Sequence, residues 1–454
     1  MTVLPGGLRV CVESVPQYGR GLAAVALTVA AGGDDDPAGR HGTAHLVEHL
    51  MFPRSGREGS ADPAGEGYAA LVAGAGGVCN AETHRDHTVF HTTVPAELLP
   101  DALAWEAGRL LGFAPTEDVI RTETDVIGEE IRGAGDAGRY WESALGALYP
   151  GSRDSFGTAA ELAGITAGEV EAFFRAHYTA PRMVLSVVGD VDPARVVAVV
   201  REVFAGVVRT AEETRAAEAP RTAREIRAAE APRTARETRA AEAPRTARET
   251  RAAEAPRTAT EIRTAPLPAA RPGVAVGHPL PDPVAERPAY LAQAVLAQVL
   301  GRSRLPALAR SARDGHRLTS ATVTCGYHGQ WLASAAPDLT LAVLGRAPGT
   351  EVGAAVDIWR SVLRAVADGP LPEAEHRRAV NSLLVAWHRQ ADSLPTRAVA
   401  LGRDALLLPG SAGPDALPAA LRRTTPAEVA AAARALLEGP VTVTELAPQK
   451  GTVG

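Results

Sequence analysis

His45-Leu46-Val47-Glu48-His49 decides how this chain is read. On a helix, positions three and four apart share one face, so His45, Glu48 and His49 converge on one point. Two imidazole nitrogens can grip one metal ion, and the carboxylate then stands beside an open coordination position, where a water needs a base. This is the raw material of metal-assisted hydrolysis. Ordinary surface helices also carry two His and a Glu at these spacings, so a third ligand must be found before the pair counts as a site.

Downstream, Arg121-Thr122-Glu123-Thr124-Asp125-Val126-Ile127-Gly128-Glu129-Glu130-Ile131 has helical character and several carboxylates. Glu123 and Glu130 are seven apart, two turns along one face. Glu129 points about 100° away and reads as solvated.

Around these stretches, apolar runs predict strands over Leu8 to Glu13, Leu22 to Ala30, Thr88 to Val94 and Met183 to Val188. Helical patterns cover Ala44 to Phe52, Ala96 to Leu111, Thr116 to Arg132 and Ala167 to Ala176, the last with Thr166 as N-cap and Glu169 at the third helical position. Strands and helices that do not alternate strictly indicate an α+β fold. A second series of similar content starts near Pro272 and ends on a strand at Val441 to Leu446. The reading is therefore two homologous halves, each a mixed, mainly antiparallel sheet packed with helices: residues 1–208 and 269–454, joined by 209–268.

That joining segment is an internal repeat. Arg209-Thr210-Ala211-Glu212-Glu213-Thr214-Arg215-Ala216-Ala217-Glu218-Ala219-Pro220 recurs with small changes from Arg221, Arg233, Arg245 and Arg257. A solenoid repeat must offer an apolar face to its neighbour, and these units offer only Ala and an occasional Ile. Pro closes each unit and blocks long helices, while Arg and Glu keep it solvated, so a linker is expected.

Composition bounds the rest. The chain has 454 residues, 46% of them hydrophobic, enough for several full cores. A net charge of −6 and an Arg-rich stretch alternating with Glu offer no nucleic-acid surface. No apolar run reaches about 18 residues, so no membrane span is expected. Three widely separated Cys cannot form a disulfide framework, Cys79 reads as a buried strand residue, and no secretory signal is visible; a cytoplasmic address follows.

Several stretches together resemble the pitrilysin/insulinase metallopeptidases, the inverzincins, which include the mitochondrial processing peptidases and bacterial relatives. Leu4-Pro5-Gly6-Gly7-Leu8-Arg9-Val10 resembles the family's first strand, and Gly42 to Phe52 its zinc helix. Cys79-Asn80-Ala81-Glu82-Thr83, with Thr88-Val89-Phe90, is similar to its Asn-Ala strand. His177 to Leu185, running into Val188-Gly189-Asp190-Val191-Asp192, resembles the strand closing the first half, and Ala294 to Leu305 the opening helix of the second.

The resemblance implies one Zn2+ per chain, with His45, His49 and Glu130 as ligands, Glu48 as general base and Glu123 as a carboxylate supporting Glu130. It implies that an extended peptide pairs with the edge strand at Asn80 and Ala81, and that Arg310 contacts substrate from the second half. The family's active members carry a Tyr about two turns after that Arg. Here its place falls on Arg317 or Leu318, and Tyr327 lies further on. Two-chain members of the family meet such a gap with a partner subunit. The expectation is a zinc endopeptidase acting on unfolded or leader peptides, paired with a homologous chain, preferably as a heterodimer. The alternative is a non-catalytic, peptide-holding member.

Overall fold

The computed structural model describes residues 1–52, 67–133, 136–207, 261–310, 318–408, 410 and 413–448. They form two compact units, neither contiguous in sequence. The first gathers Met1–Glu129, 155–207 and Ala391–Leu407; the second gathers Glu130–Asp154, 261–390 and 408–448. The helices that matter below are α1 (Thr43–Leu50), α2 (Leu99–Leu111), α3 (Glu117–Gly133), α4 (Asp136–Leu148), α5 (Ala167–His177), α6 (Arg287–Val299), α7 (Leu305–Arg310), α8 (Val352–Ala367) and α9 (Leu394–Leu407).

The first unit is built on β1 (Thr2–Val3), β2 (Arg9–Ser14), β3 (Leu22–Val29), β4 (Val78–Thr83), β5 (Thr88–Pro95) and β6 (Met183–Gly189), in the order β1-β2-β6-β3-β5-β4. β2 and β6 run parallel, and all other neighbours are antiparallel. β6 is buried along its whole length and β3 from Ala23 onward. Their unbroken apolar sequences require that, since a strand covered on both faces has no polar side to show. β4, at the edge, alternates exposed and half-buried residues, the period of a strand with one covered face.

Two features fix helices in this unit. α5 begins on the expected capping box, in which Thr166 N donates to Glu169 Oε2 at 2.9 Å and Glu169 N to Thr166 Oγ1 at 3.4 Å. α9, from far down the chain, lies on β3 and β6. Arg9 Nη1 donates to Ala405 O at 2.8 Å. A Cβ on Gly402 would stand 2.6 Å from Thr28 Oγ1, so only glycine allows this approach.

The second unit repeats the plan. β7 (Glu261–Arg263), β8 (Leu267–Ala269), β9 (Gly273–Pro279), β10 (Leu318–Cys325), β11 (Leu339–Arg346) and β12 (Val441–Pro448) form the order β10-β11-β9-β12-β7, with β8 also on β12. β7 runs parallel to β12 as β2 does to β6, and the other path neighbours are antiparallel. Strand for strand, β7, β12, β9, β11 and β10 correspond to β2, β6, β3, β5 and β4. The α+β architecture of two homologous halves is therefore the fold. Val274, Val276, Val295, Leu300, Trp359 and Leu363, from β9, α6, the turn after it and α8, share the core.

α4 belongs to this unit and packs on β9 and β12, with Trp141 Nε1 donating to Asp338 Oδ1 at 3.1 Å. Between α6 and α7, Leu300–Arg304 forms a π turn. Pro306, just after it, has no amide to give the backbone ladder, which fits a widened turn there.

The repeat, residues 209–260 of the expected linker, lies outside the described residues. Residues 261–268 are described, and they supply β7 and open β8, both parallel to β12. Glu261-Ile262-Arg263 continues the composition of the repeat, so only pairing with β12 marks it as strand. Among the described residues no helix is long and apolar enough to cross a membrane. Cys11, Cys79 and Cys325 are free thiols, with Cys79 half-buried on β4 rather than fully buried.

Candidate metal centre

α1 starts at Gly42, whose φ of 102° is left-handed and whose missing side chain offers no cap. Its first amides reach instead to Asp36. Oδ2 accepts from Gly42 N at 2.7 Å and from His41 Nδ1 at 3.0 Å, and Oδ1 accepts from Ala44 N at 2.8 Å. A buried carboxylate at the positive end of a helix satisfies its orphan donors and its dipole together.

Gly42 also faces Gly157. A Cβ on Gly157, itself at φ 87°, would lie 2.5 Å from Gly42 Cα. These two glycines let the backbone at Phe156 lie against the start of α1, and Phe156 O meets His45 Nδ1 at 3.2 Å. A carbonyl can only accept, so Nδ1 carries a proton and donates it there. His49 has the same arrangement, with Nδ1 at 3.1 Å from Glu123 Oε2 on α3. Each ring is thus oriented so that Nε2 is the atom offered to a metal.

α3 runs unbroken from Glu117 to Gly133, and the division between the units falls within it, after Glu129. It brings Glu130 to the two imidazoles. His45, His49 and Glu130 each offer one ligand atom, all within 4.8 Å of one another, the only such group of three among the described residues. Zinc donors at about 2.0–2.1 Å stand about 3.4 Å apart, so small side-chain rotations close the set. Two nitrogens and one carboxylate oxygen, three ligands rather than four, fit a catalytic zinc rather than a structural one. Glu48, on the turn between the imidazoles, is buried, and Thr83 Oγ1 donates to its Oε2 at 2.6 Å.

The other expected residues fall as follows. Glu129 is exposed. The hydrogen bond from Glu123 runs to His49, where the resemblance implied support for Glu130. Asn80 and Ala81 lie on β4 opposite His91 and Phe90, and the outer edge of β4 has no strand partner among the described residues. Their neighbour Glu82 is held below the usual carboxylate range by its hydrogen bond with His84 Nε2 at 3.2 Å, against the opposing effect of burial.

Arg310 closes α7 in the second unit, and its side chain lies outside the described set, as does Arg317. Leu318 is buried at the start of β10. Tyr327 is packed within the second unit, its ring 4.6 Å from that of Trp141 and its N–H donating to Asp338 Oδ2 at 2.9 Å.

Sequence reasoning missed Asp36, Phe156 and the role of Thr83. Asp36 precedes the helix by more than a capping spacing, Phe156 acts through its backbone, and Thr83 was visible only as part of the Asn-Ala stretch.

Residues 12–134 match the model of the insulinase domain of peptidase family M16, and residues 164–383 match that of the family's inactive domain. An uncharacterized zinc protease of Mycobacterium tuberculosis is 33% identical over 208 residues, 45% of this chain and 46% of that protein. A probable mitochondrial-processing peptidase subunit beta of Arabidopsis thaliana is 30% identical over 211 residues, 45% of this chain and 38% of that one. These matches span less than half the length of either relative. The crystal structure of a protease from Helicobacter pylori superposes with a TM-score of 0.75 at 18% identity, covering 98% of both chains, a likeness of fold. With two models of one family together matching most of its length, the chain belongs to the insulinase family of peptidases, M16.

Proposed function

We propose that this chain is a zinc-dependent endopeptidase for unfolded peptides or precursor leader segments, and the zinc-bearing subunit of a dimer with a homologous chain. The observation that carries this is the convergence of His45, His49 and Glu130 beside the buried carboxylate of Glu48. A zinc ion held by those three residues would polarise a peptide carbonyl and acidify a water. Glu48 takes the proton from that water and passes it to the leaving amine. Phe156 O and Glu123 accept from the Nδ1 protons of His45 and His49 and so orient both rings with Nε2 as the ligand atom.

Substrate adds to the outer edge of β4 along Asn80 and Ala81 through main-chain hydrogen bonds. Such pairing reads backbone, so it selects extended, unfolded segments. Arg310 is assigned a substrate contact by family resemblance. The missing Tyr would be supplied by the partner subunit, a reading supported by relatives named as subunits of mitochondrial-processing peptidases. Three free thiols suit a reducing cytoplasm.

The test measures zinc and oligomer size of the purified chain, then cleavage of an unstructured peptide library with and without a homologous partner. Glu48→Gln runs in parallel. Cleavage that vanishes in Glu48→Gln while zinc stays bound is the expected result. Stoichiometric zinc without cleavage in either condition would move the reading to a peptide-holding subunit, and a chain that binds no zinc would remove the metal centre.

A further inference from the structure

We propose that Thr83 is a positioning residue for Glu48, fixing the base through a side-chain hydrogen bond and tying it to the strand that receives the peptide. This rests on the reading of Glu48 as the base.

The direction of the bond follows from the neighbours. Thr88 Oγ1 donates to Ala31 O at 2.9 Å, and a carbonyl can only accept, so the single proton of Thr88 is committed there. In its 3.5 Å contact with Thr83 Oγ1, Thr88 is therefore not the donor. The proton of Thr83 goes to Glu48 Oε2, at 2.6 Å, the length of a hydroxyl-to-carboxylate bond. Among the described residues no hydrogen bond reaches Glu48 Oε1, so one oxygen is anchored and the other is left for the proton transfer.

Thr83 is the last residue of β4, opposite Thr88, and three positions beyond Asn80. The strand proposed to pair with substrate is thus the strand that holds the base. Without the hydroxyl, Glu48 would be free to rotate, and its carboxylate could become a further ligand to a metal held by His45, His49 and Glu130.

Thr83→Val removes the donor at nearly constant volume. It should lower kcat about 10–100-fold, the usual effect of losing a partner that orients an active-site group, with KM and bound zinc little changed. Thr83→Ser restores the hydroxyl and should recover most of the rate. A readout independent of turnover is the visible absorption of the Co2+-loaded protein, which weakens as coordination number rises. Thr83→Val should show the weaker spectrum, and Thr83→Ser that of the parent. Parent-like turnover and spectrum in Thr83→Val would overturn the proposal, as would equal impairment of Thr83→Ser, which would trace the effect to packing. If the parent binds Co2+ but cleaves nothing with or without a homologous partner, the peptidase reading fails and the spectra alone decide on Thr83. A parent that binds no Co2+ defeats both.

Discussion

His49 Nδ1 and Glu123 Oε2 stand 3.1 Å apart, joining the helix that carries the His pair to the helix that carries Glu130. The carboxylate accepts the Nδ1 proton of His49 and so orients its ring, the role such a partner has behind a metal-ligating imidazole. Glu123→Ala should weaken zinc binding about 10–100-fold with little loss of fold, measured by competition with a chromophoric chelator. Glu123→Gln, whose amide oxygen still accepts from Nδ1, should fall between. Equal affinity in all three proteins would deny Glu123 this role.

Asp36 caps α1 from outside the helix, holding the amides of Gly42 and Ala44 and the ring of His41. Asp36→Ala strands buried donors and should cost about 1–3 kcal/mol in urea unfolding. Because the same contacts set the start of α1, zinc affinity should drop as well. A variant that unfolds earlier yet binds zinc as before would separate the cap from the site.

Beneath the end of α1, Arg109 is buried with Glu106 at 2.6 Å, and its guanidinium lies 4.0 Å from the centre of the Tyr68 ring and 4.5 Å from that of Phe90. Tyr68 OH donates to Glu106 Oε2 at 3.0 Å. Burial pushes the Tyr68 hydroxyl up, and the charge of Glu106 adds to this. Glu106→Leu should cost about 3–5 kcal/mol because it leaves a buried cation unpaired, while Glu106→Leu with Arg109→Leu should regain much of that. A double variant no better than the single would argue that the rings, not the charge, need Arg109.

In the second half, burial holds His278 down to about 3 from an ordinary 6.5, and Trp359 Nε1 donates to its Nε2 at 3.0 Å, which requires a lone pair there. In the first, burial holds His87 down to about 4. Above pH 6.5 neither state binds these protons. As pH falls below that value the unfolded chain takes them up and the folded chain does not, so stability declines, by on the order of 2 kcal/mol at pH 5 for each group. Urea midpoints should drop between pH 7 and 5, with a shallower slope in His278→Gln. An unchanged slope in that variant would show that other groups govern the acid response.

The five residues from His45 to His49 and the carboxylates at Glu123 and Glu130 were legible because helical periodicity alone puts them on shared faces. The buried strands β3 and β6 and the cap of α5 were legible for the same local reason. Three things were not. Glu261-Ile262-Arg263 looks like repeat until β12 pairs with it. α4 and α9 look like members of the halves that surround them in sequence, yet α4 completes the second unit and α9 the first. No local pattern encodes which sheet a helix covers, since any amphipathic helix suits any apolar face.

The site divides along the same line. Sequence by itself determined which candidate donors stand together, because residue type and spacing set which side chains can share a helix face. Tertiary structure alone decided how those donors are held: Phe156 O on His45, Glu123 on His49 rather than toward Glu130, Asp36 at the head of α1 and Thr83 on Glu48. Each is a contact between segments distant along the chain or acts through backbone, and its geometry exists only after the segments have packed.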